Sequence, residues 1–367
     1  MAAPTLVVFL GGFGSSEAEQ VVDAARLTAT IDTINTWRSL PGAPPAILVT
    51  DQNIERPGVT VDRDSGEYHF GRRLAEVLRR HDVESAVYLG GGSLPLFGAG
   101  DFVGVTGRMA EGVVVTNNAF SSDLLAFTVT DAVLAAIEPA PRDNSLARAL
   151  QDNAGLRVEA LERTLATQFD IDTPTDVAVL AVTAPWWGVG WKEDVGLERY
   201  RAVLPLFLDQ TKELVVAGRV GSHAWGYLER ETACRVRLFA EERGMEADGR
   251  AAAGGARSLV AYHLEAVGLV RFFETLAELG DAAFIDTRVI LAHKRIETTR
   301  GDRFLSDLGR WEEFGQPFLR EFTHAALEAP IPVLLGGHSL MSGGLMALNE
   351  FAWTECDAER LQRGLSP

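Results

Sequence analysis

Lysine is the scarcest charged residue in this chain. Lys192, Lys212 and Lys294 are the only ones, and the rest of the 34 cationic residues are arginine. Residues 1–191 contain no lysine at all. Chemistry in that half that needs positive charge must take it from arginine or a metal ion. Cysteine is rarer still: Cys234 and Cys356 form no CxxC or Cys/His spacing, which excludes a disulfide scaffold and a zinc ribbon. No apolar run approaches the roughly 18 residues that span a bilayer. Met1–Leu10 lacks a basic n-region, and its apolar run is too short for a signal peptide, so a cytoplasmic location is expected. Positive charge is short overall, with a formal net charge of −17. Such a surface repels polynucleotides and anionic lipid, and neither nucleic acid nor membrane is expected as a partner. A single nucleotide is a different case, because magnesium and a few arginines suffice for phosphate.

What is present is ordinary globular material: 367 residues, 47% hydrophobic and 23% charged. That length points to two domains. Thr5–Leu10 reads as a strand buried on both faces, running into Gly11-Gly12-Phe13-Gly14. Helical spacing follows over Glu19–Leu40, then a second buried strand at Ala46–Thr50, and an arginine-rich helix over Tyr68–His81. Ser85–Leu89 is a third strand, ending in Gly90-Gly91-Gly92, and Gly112–Thr116 a fourth. Leu124–Thr128 and Arg157–Leu161 read as further strands, with helices over Asp131–Ile137, Asp143–Asn153 and from Thr175. Strands alternating with helices predict a Rossmann-like α/β domain with a mostly parallel sheet over residues 1–185.

A boundary is expected in Ala184–Glu193, where Trp186, Trp187 and Trp191 cluster. Such a cluster packs one domain on another or offers a stacking surface. Residues 190–367 read as a mainly α-helical domain, with helices over Leu197–Val216, Ala224–Arg243, Ser258–Leu279 and Arg303–Ala329. One late βα unit stands out, Ile331–Leu335 followed by Gly336-Gly337-His338-Ser339 and a helix from about Gly343. There is no internal repeat or low-complexity tract.

The sharpest chemical mark is Asp170-Ile171-Asp172-Thr173-Pro174. In an extended segment Asp170 and Asp172 project to the same side, their carboxylates about 7 Å apart, a pair that can hold Mg2+. Thr173 and Pro174 suit the cap and first turn of the next helix. Gly90, Gly91 and Gly92 end a central strand, where ligands approach the backbone in open α/β sheets. Gly11, Gly12 and Gly14 occupy the same position after the first strand. Between Thr116 and Asp123, polar side chains cluster at a strand end, with Asn117 and Asp123 placed to read a base, sugar or acceptor. Gly336, Gly337, His338 and Ser339 join a strand to a helix, where backbone N–H groups could cradle an anion. That loop is neither a P-loop nor G-x-S-x-G. Arg230, Arg235, Arg237, Arg288 and Arg295 are expected on helices as surface ion pairs. Gly221-Ser222-His223-Ala224-Trp225 reads as a loop entering a helix.

D-x-D-T-P-x-D closing an α/β domain resembles the nucleotidyltransferase (GT-A-like) superfamily. The similarity is nearest to the molybdenum-cofactor and the phospholactate or phosphoenolpyruvate guanylyltransferases, over about residues 5–182. The resemblance implies that Asp170 and Asp172 bind the metal, that Gly11, Gly12 and Gly14 form the nucleotide loop, and that Gly90-Gly91-Gly92-Ser93 continues the pocket. The sequence departs from the family pattern twice. Ser93 stands where the family has a metal-binding aspartate, and Glu17 and Glu19 follow the first loop where a lysine is expected. Arg26, Arg72 or Arg73 would have to replace that lysine. Three functions follow. The first is transfer of a nucleoside monophosphate to a small phosphorylated acceptor. The second is nucleotide-sugar-dependent glycosyl transfer. The third is a catalytically degenerate ligand-binding or assembly protein.

Overall fold

The computed structural model describes residues 3–12, 14–63, 68–184, 196–245 and 249–362. Phe13 and the tryptophans at 186, 187 and 191 lie outside the described residues. The chain packs as two compact units: Met1–Gly14 with Asp23–Asp170, and Ser15–Val22 with Ile171–Pro367.

The first unit is a seven-stranded sheet. Its strands are β1 (Thr5–Leu10), β2 (Ala46–Thr50), β3 (Thr60–Arg63), β4 (Ser85–Gly90), β5 (Val113–Thr116), β6 (Leu124–Thr128) and β7 (Arg157–Ala160), in the order β3-β2-β1-β4-β6-β5-β7. β6 runs antiparallel between β4 and β5, and the other pairings are parallel. The helices are α1 (Glu17–Arg38, in this unit from Asp23 on), α2 (Phe70–Arg80), α3 (Ala99–Thr106), α4 (Asp131–Ile137), α5 (Leu146–Ala154) and α6 (Leu165–Gln168). The apolar run of β1 serves both faces because successive side chains alternate. Val7 and Phe9 pack toward Phe70 and Leu74 of α2 and Ile137 of α4. Leu6, Val8 and Leu10 join Ile34 and Trp37 of α1 and Phe102 of α3. This is the mostly parallel α/β sheet expected from the alternation of strands and helices.

The second unit is rich in helices: α7 (Pro174–Thr183), α8 (Leu197–Phe207), α9 (Ser222–Glu231), α10 (Leu259–Val267), α11 (Leu269–Leu279), α12 (Thr287–Lys294), α13 (Arg300–Leu308), α14 (Pro317–Leu327) and α15 (Leu345–Gln362). Where one βα unit was expected, however, the structure has a four-stranded parallel sheet. Its strands are β8 (Glu213–Gly218), β9 (Arg235–Ala240), β10 (Ala282–Asp286) and β11 (Val333–Gly336), in the order β11-β10-β8-β9. The expected helix through Val216 stops at α8. There Asp209 accepts from the Thr211 N–H (2.8 Å) and hydroxyl (2.7 Å), turning the chain into the β-branched β8. Arg235 and Arg237 belong to β9, not to a helix; the Arg-Val-Arg-Leu alternation is a strand period at a sheet edge. Gly268, at φ 78°, separates α10 from α11 where one helix was expected.

The division between units falls at Asp170 rather than in Ala184–Glu193. α7 is the reason. It is buried on all sides, as a helix apolar all round must be. Its Thr175 hydroxyl donates to the Leu335 carbonyl at 2.6 Å, which ties it to β11 of the second unit.

Candidate functional site

In the first unit the chain lays β2 and β3 on one side of β1 and then returns to place β4 on the other. The loops leaving β1 and β4 therefore part from each other. In open parallel sheets ligands lie at such a switch point, outside the carboxyl ends of the strands. Both glycine loops read from the sequence are there. Gly91 N–H donates to the Phe9 carbonyl at 2.7 Å, so the two strand ends touch directly. Gly92 sits at φ +86°, and a Cβ on it would come within 2.5 Å of Arg26 Cγ. Only glycine fits that backbone and that neighbour.

Arg26, on α1, reaches across both loops. Its Nε donates to the Gly91 carbonyl (2.9 Å) and its Nη1 to the Gly11 carbonyl (3.2 Å). Of the three arginines considered as replacements for the missing lysine, it is the one at the switch point. Arg73 is committed elsewhere: it bonds Asp62 Oδ1 at 2.5 Å and the Arg63 carbonyl at 2.9 Å. Arg72 is exposed on α2, its N–H bonded to the ring of the cap His69. Gly11, Gly12 and Gly14 are exposed, and Gly12 N–H donates to Asp51 at 3.4 Å.

Ser93 pairs with Asp170 in an isolated antiparallel bridge. The structure thus brings together the two positions that the family resemblance linked. Asp170 Oδ1 accepts from Leu94 N–H at 3.3 Å, and Leu94 is itself held at φ 50°. Asn117 is buried. Its Oδ1 accepts from the N–H groups of Asp123 (3.0 Å) and Leu124 (3.1 Å). Its Nδ2 donates to the Asp123 carboxylate (3.0 Å) and the Thr167 carbonyl (3.4 Å). That spends its amide on shaping the loop, a positioning part in place of the expected reading of a ligand. Asp123 is partly buried, its carbonyl receiving Gly90 N–H at 3.1 Å. Sequence reasoning missed Tyr88 and Asp143. The Tyr88 hydroxyl donates to Asp143 Oδ2 at 2.9 Å. Burial first, and then the Asp143 charge, push the phenol well above its ordinary range.

Asp172 opens the second unit and is exposed. The residues expected to bind an anion there divide. Ser339 is buried and donates to both oxygens of Asp176 (2.7 and 2.6 Å). The Gly336 carbonyl accepts from Arg288 Nη1 at 3.0 Å, and Gly337 is buried. His338 alone of the four stays partly exposed, its Nδ1 3.0 Å from the Arg219 carbonyl. Arg288 lies on α12 as expected, but it is no surface pair: Nη1 and Nη2 each bond Asp307 at 2.5 Å, with side-chain exposures of 14% and 0%. Arg230 pairs with Glu231 on the surface, and Arg295 closes α12 at φ 54°. Among the described residues no group of three or more His, Cys, Asp or Glu is placed to hold a metal ion, and no helix is long and apolar enough to cross a membrane.

No protein-family model matches the chain, and no curated protein matches it. Several solved structures are similar over about half of it. A Desulfovibrio desulfuricans G20 protein described as a nucleotide-diphospho-sugar transferase is 11% identical, with a TM-score of 0.38, over 55% of this chain and 96% of that one. A nucleotidyl transferase from Methanothermobacter is 14% identical, with a TM-score of 0.38, over 48% and 95%. A cytidylyltransferase from Leptospira borgpetersenii is 16% identical, with a TM-score of 0.36, over 51% and 87%. No residue role is taken from these proteins.

Proposed function

We propose that this chain is a nucleotidyltransferase-like enzyme whose first unit takes a nucleotide at the carboxyl ends of β1 and β4. The observation that carries this reading is the meeting of Gly11-Gly12 and Gly90–Gly92 at the switch point, with Arg26 bonded to both. Arg26 supplies a cation at this edge of a half that has no lysine. Asp51 beside Gly12, and Asp123 and Asp143 near Gly90, make this edge acidic, so phosphates need further positive charge. The counter-charge proposed is Mg2+, which binds through one or two carboxylates and completes its shell with substrate phosphates and water. Asp170 and Asp172 are the carboxylates assigned to it. When bound, the ion would neutralise charge building on the phosphates.

The proposed reaction joins an acceptor phosphate oxygen to the α-phosphorus of a nucleoside triphosphate. The bond to the bridging oxygen breaks, and pyrophosphate leaves. The chain's own part is to hold the α-phosphate region against the glycine loops and keep Arg26 beside it.

Thermal shift and calorimetric titration with nucleoside triphosphates, with and without Mg2+, test the reading. A ligand at 100 times its Kd stabilises the chain by about 2.7 kcal/mol. Arg26→Ala is expected to weaken that ligand about tenfold, or about 1.4 kcal/mol. Asp170→Asn is expected to remove the Mg2+ dependence. Absence of any triphosphate response rejects the proposal. A second reading, a nucleotide-binding module without catalysis, is favoured by Ser93 in place of the aspartate. Triphosphate binding without pyrophosphate release over hours would select it.

A further inference from the structure

We infer that the second unit carries a small-molecule site of its own, at the carboxyl ends of β8 and β10, that binds a phosphate or carboxylate group between Arg219, Arg243 and His338. The strand order places β9 on one side of β8 and β10 on the other. The chain therefore reverses between β8 and β10, the kind of crevice where ligands gather in a parallel sheet. This site does not depend on the nucleotide reading of the first unit.

Three loops bring the residues together. Arg219 follows β8 directly. Its Nε bonds Asp286 Oδ2 at 2.5 Å and its Nη2 bonds Oδ1 at 3.2 Å, with Asp286 wholly buried at the end of β10. That pair uses two guanidinium nitrogens and leaves Nη1. Arg243 comes from the segment after β9, exposed at its own position. Its Nη1 lies where a Cβ on Gly221 would be only 2.9 Å away. Gly221 is the cap residue of α9, so the absence of a side chain lets the guanidinium fold onto the loop leaving β8. His338 follows β11.

The histidine is set in one tautomer. A carbonyl only accepts, so the contact with the Arg219 carbonyl requires the hydrogen on Nδ1. Nε2 then carries a lone pair. Burial, and then the charges of Arg219 and Arg243, lower the imidazole pKa, which keeps it neutral. The charges of Asp286 and Asp172 act in the opposite sense. A fitting ligand is a small anion that also offers a hydroxyl or other proton donor to His338 Nε2, such as a phosphate monoester or a hydroxy acid.

Calorimetric titration of the full chain with inorganic phosphate, and separately with malate, a hydroxy acid, tests the site. Three variants accompany it. Arg243→Ala removes an exposed cation. His338→Asn keeps a donor for the Arg219 carbonyl and removes Nε2. Arg26→Ala reports on the first unit. Saturable binding is expected for at least one anion, and which one binds separates a phosphate ligand from a carboxylate ligand. Binding should weaken at least tenfold in Arg243→Ala and His338→Asn and persist in Arg26→Ala. If either of the first two unfolds, Arg243→Gln and His338→Gln replace them under the same expectation. No saturable binding of either anion, undiminished binding in both site variants, or loss in Arg26→Ala overturns the inference.

Discussion

Two carboxylates show how much a single residue can owe to partners far along the chain. Asp176 is wholly buried, accepting from Asp172 N–H (3.0 Å), Thr173 N–H (2.7 Å), the Thr173 hydroxyl (2.9 Å) and Ser339. Burial, and then the Asp172 charge, push its pKa up to about 7 against those hydrogen bonds. A carboxyl raised in the folded state takes up a proton on folding. Its contribution is therefore present below about pH 4 and lost as pH rises toward about 7. Urea unfolding of Asp176→Asn should lose that pH slope. Ser339→Ala, which leaves the buried carboxylate short of a donor, should cost about 1–3 kcal/mol. Asp62 behaves in the opposite sense. Burial would raise it, but Arg73, His81 and Arg80 converge on it and bring it below the ordinary carboxylate range. Its contribution is present above about pH 4 and disappears as pH falls through the lowered pKa. Acid unfolding that starts at a higher pH in Arg73→Met would confirm it. At this scale the sequence showed the local half only. Thr173 as cap and Pro174 in the first turn were readable from residue type, whereas Ser339, 163 positions from Asp176, was not.

At the scale of elements, buried strands were easier to read than edge strands. β1, β2 and β4 are continuous apolar runs ended by polar or glycine residues, a signal that needs no knowledge of neighbours. β9 carries arginines at alternate positions within an otherwise helix-like stretch, and only its place at a sheet edge makes it a strand. β6 could be read as a strand, but its antiparallel insertion between β4 and β5 has no local signature. The glycine loops were legible as ligand-side turns because only their chemistry was needed. Their bridging by Arg26 was not, because the arginine is 65 residues from Gly91. Gly92→Ala tests that loop. The left-handed backbone and the clash with Arg26 should cost about 1–2 kcal/mol in urea unfolding. Nucleotide affinity should fall with it if Arg26 moves. Unchanged stability would show that the loop relaxes freely.

For the whole molecule, the sequence reading puts a border in Ala184–Glu193 and the contacts divide the chain at Asp170, because α7 reads as the natural end of the α/β half. Its apolar surface on every side already implied deep burial, though not against which partner. A fragment ending at Asp170 should therefore stay soluble and melt cooperatively. One ending at residue 185 carries α7 without β11 and should aggregate. Size-exclusion chromatography and thermal melts distinguish the two, and the reverse result would reject the division at Asp170.

The other short piece of the second unit has a temporal consequence. Ser15–Val22 packs with Ile171–Pro367, and Glu17 pairs with Arg310, 293 residues later. At roughly 5–20 residues per second of synthesis, the start of α1 leaves the ribosome about 15–60 s before that partner exists. During translation the opening turns of this helix must wait unsupported, and the second unit cannot complete itself until the last third of the message has been read.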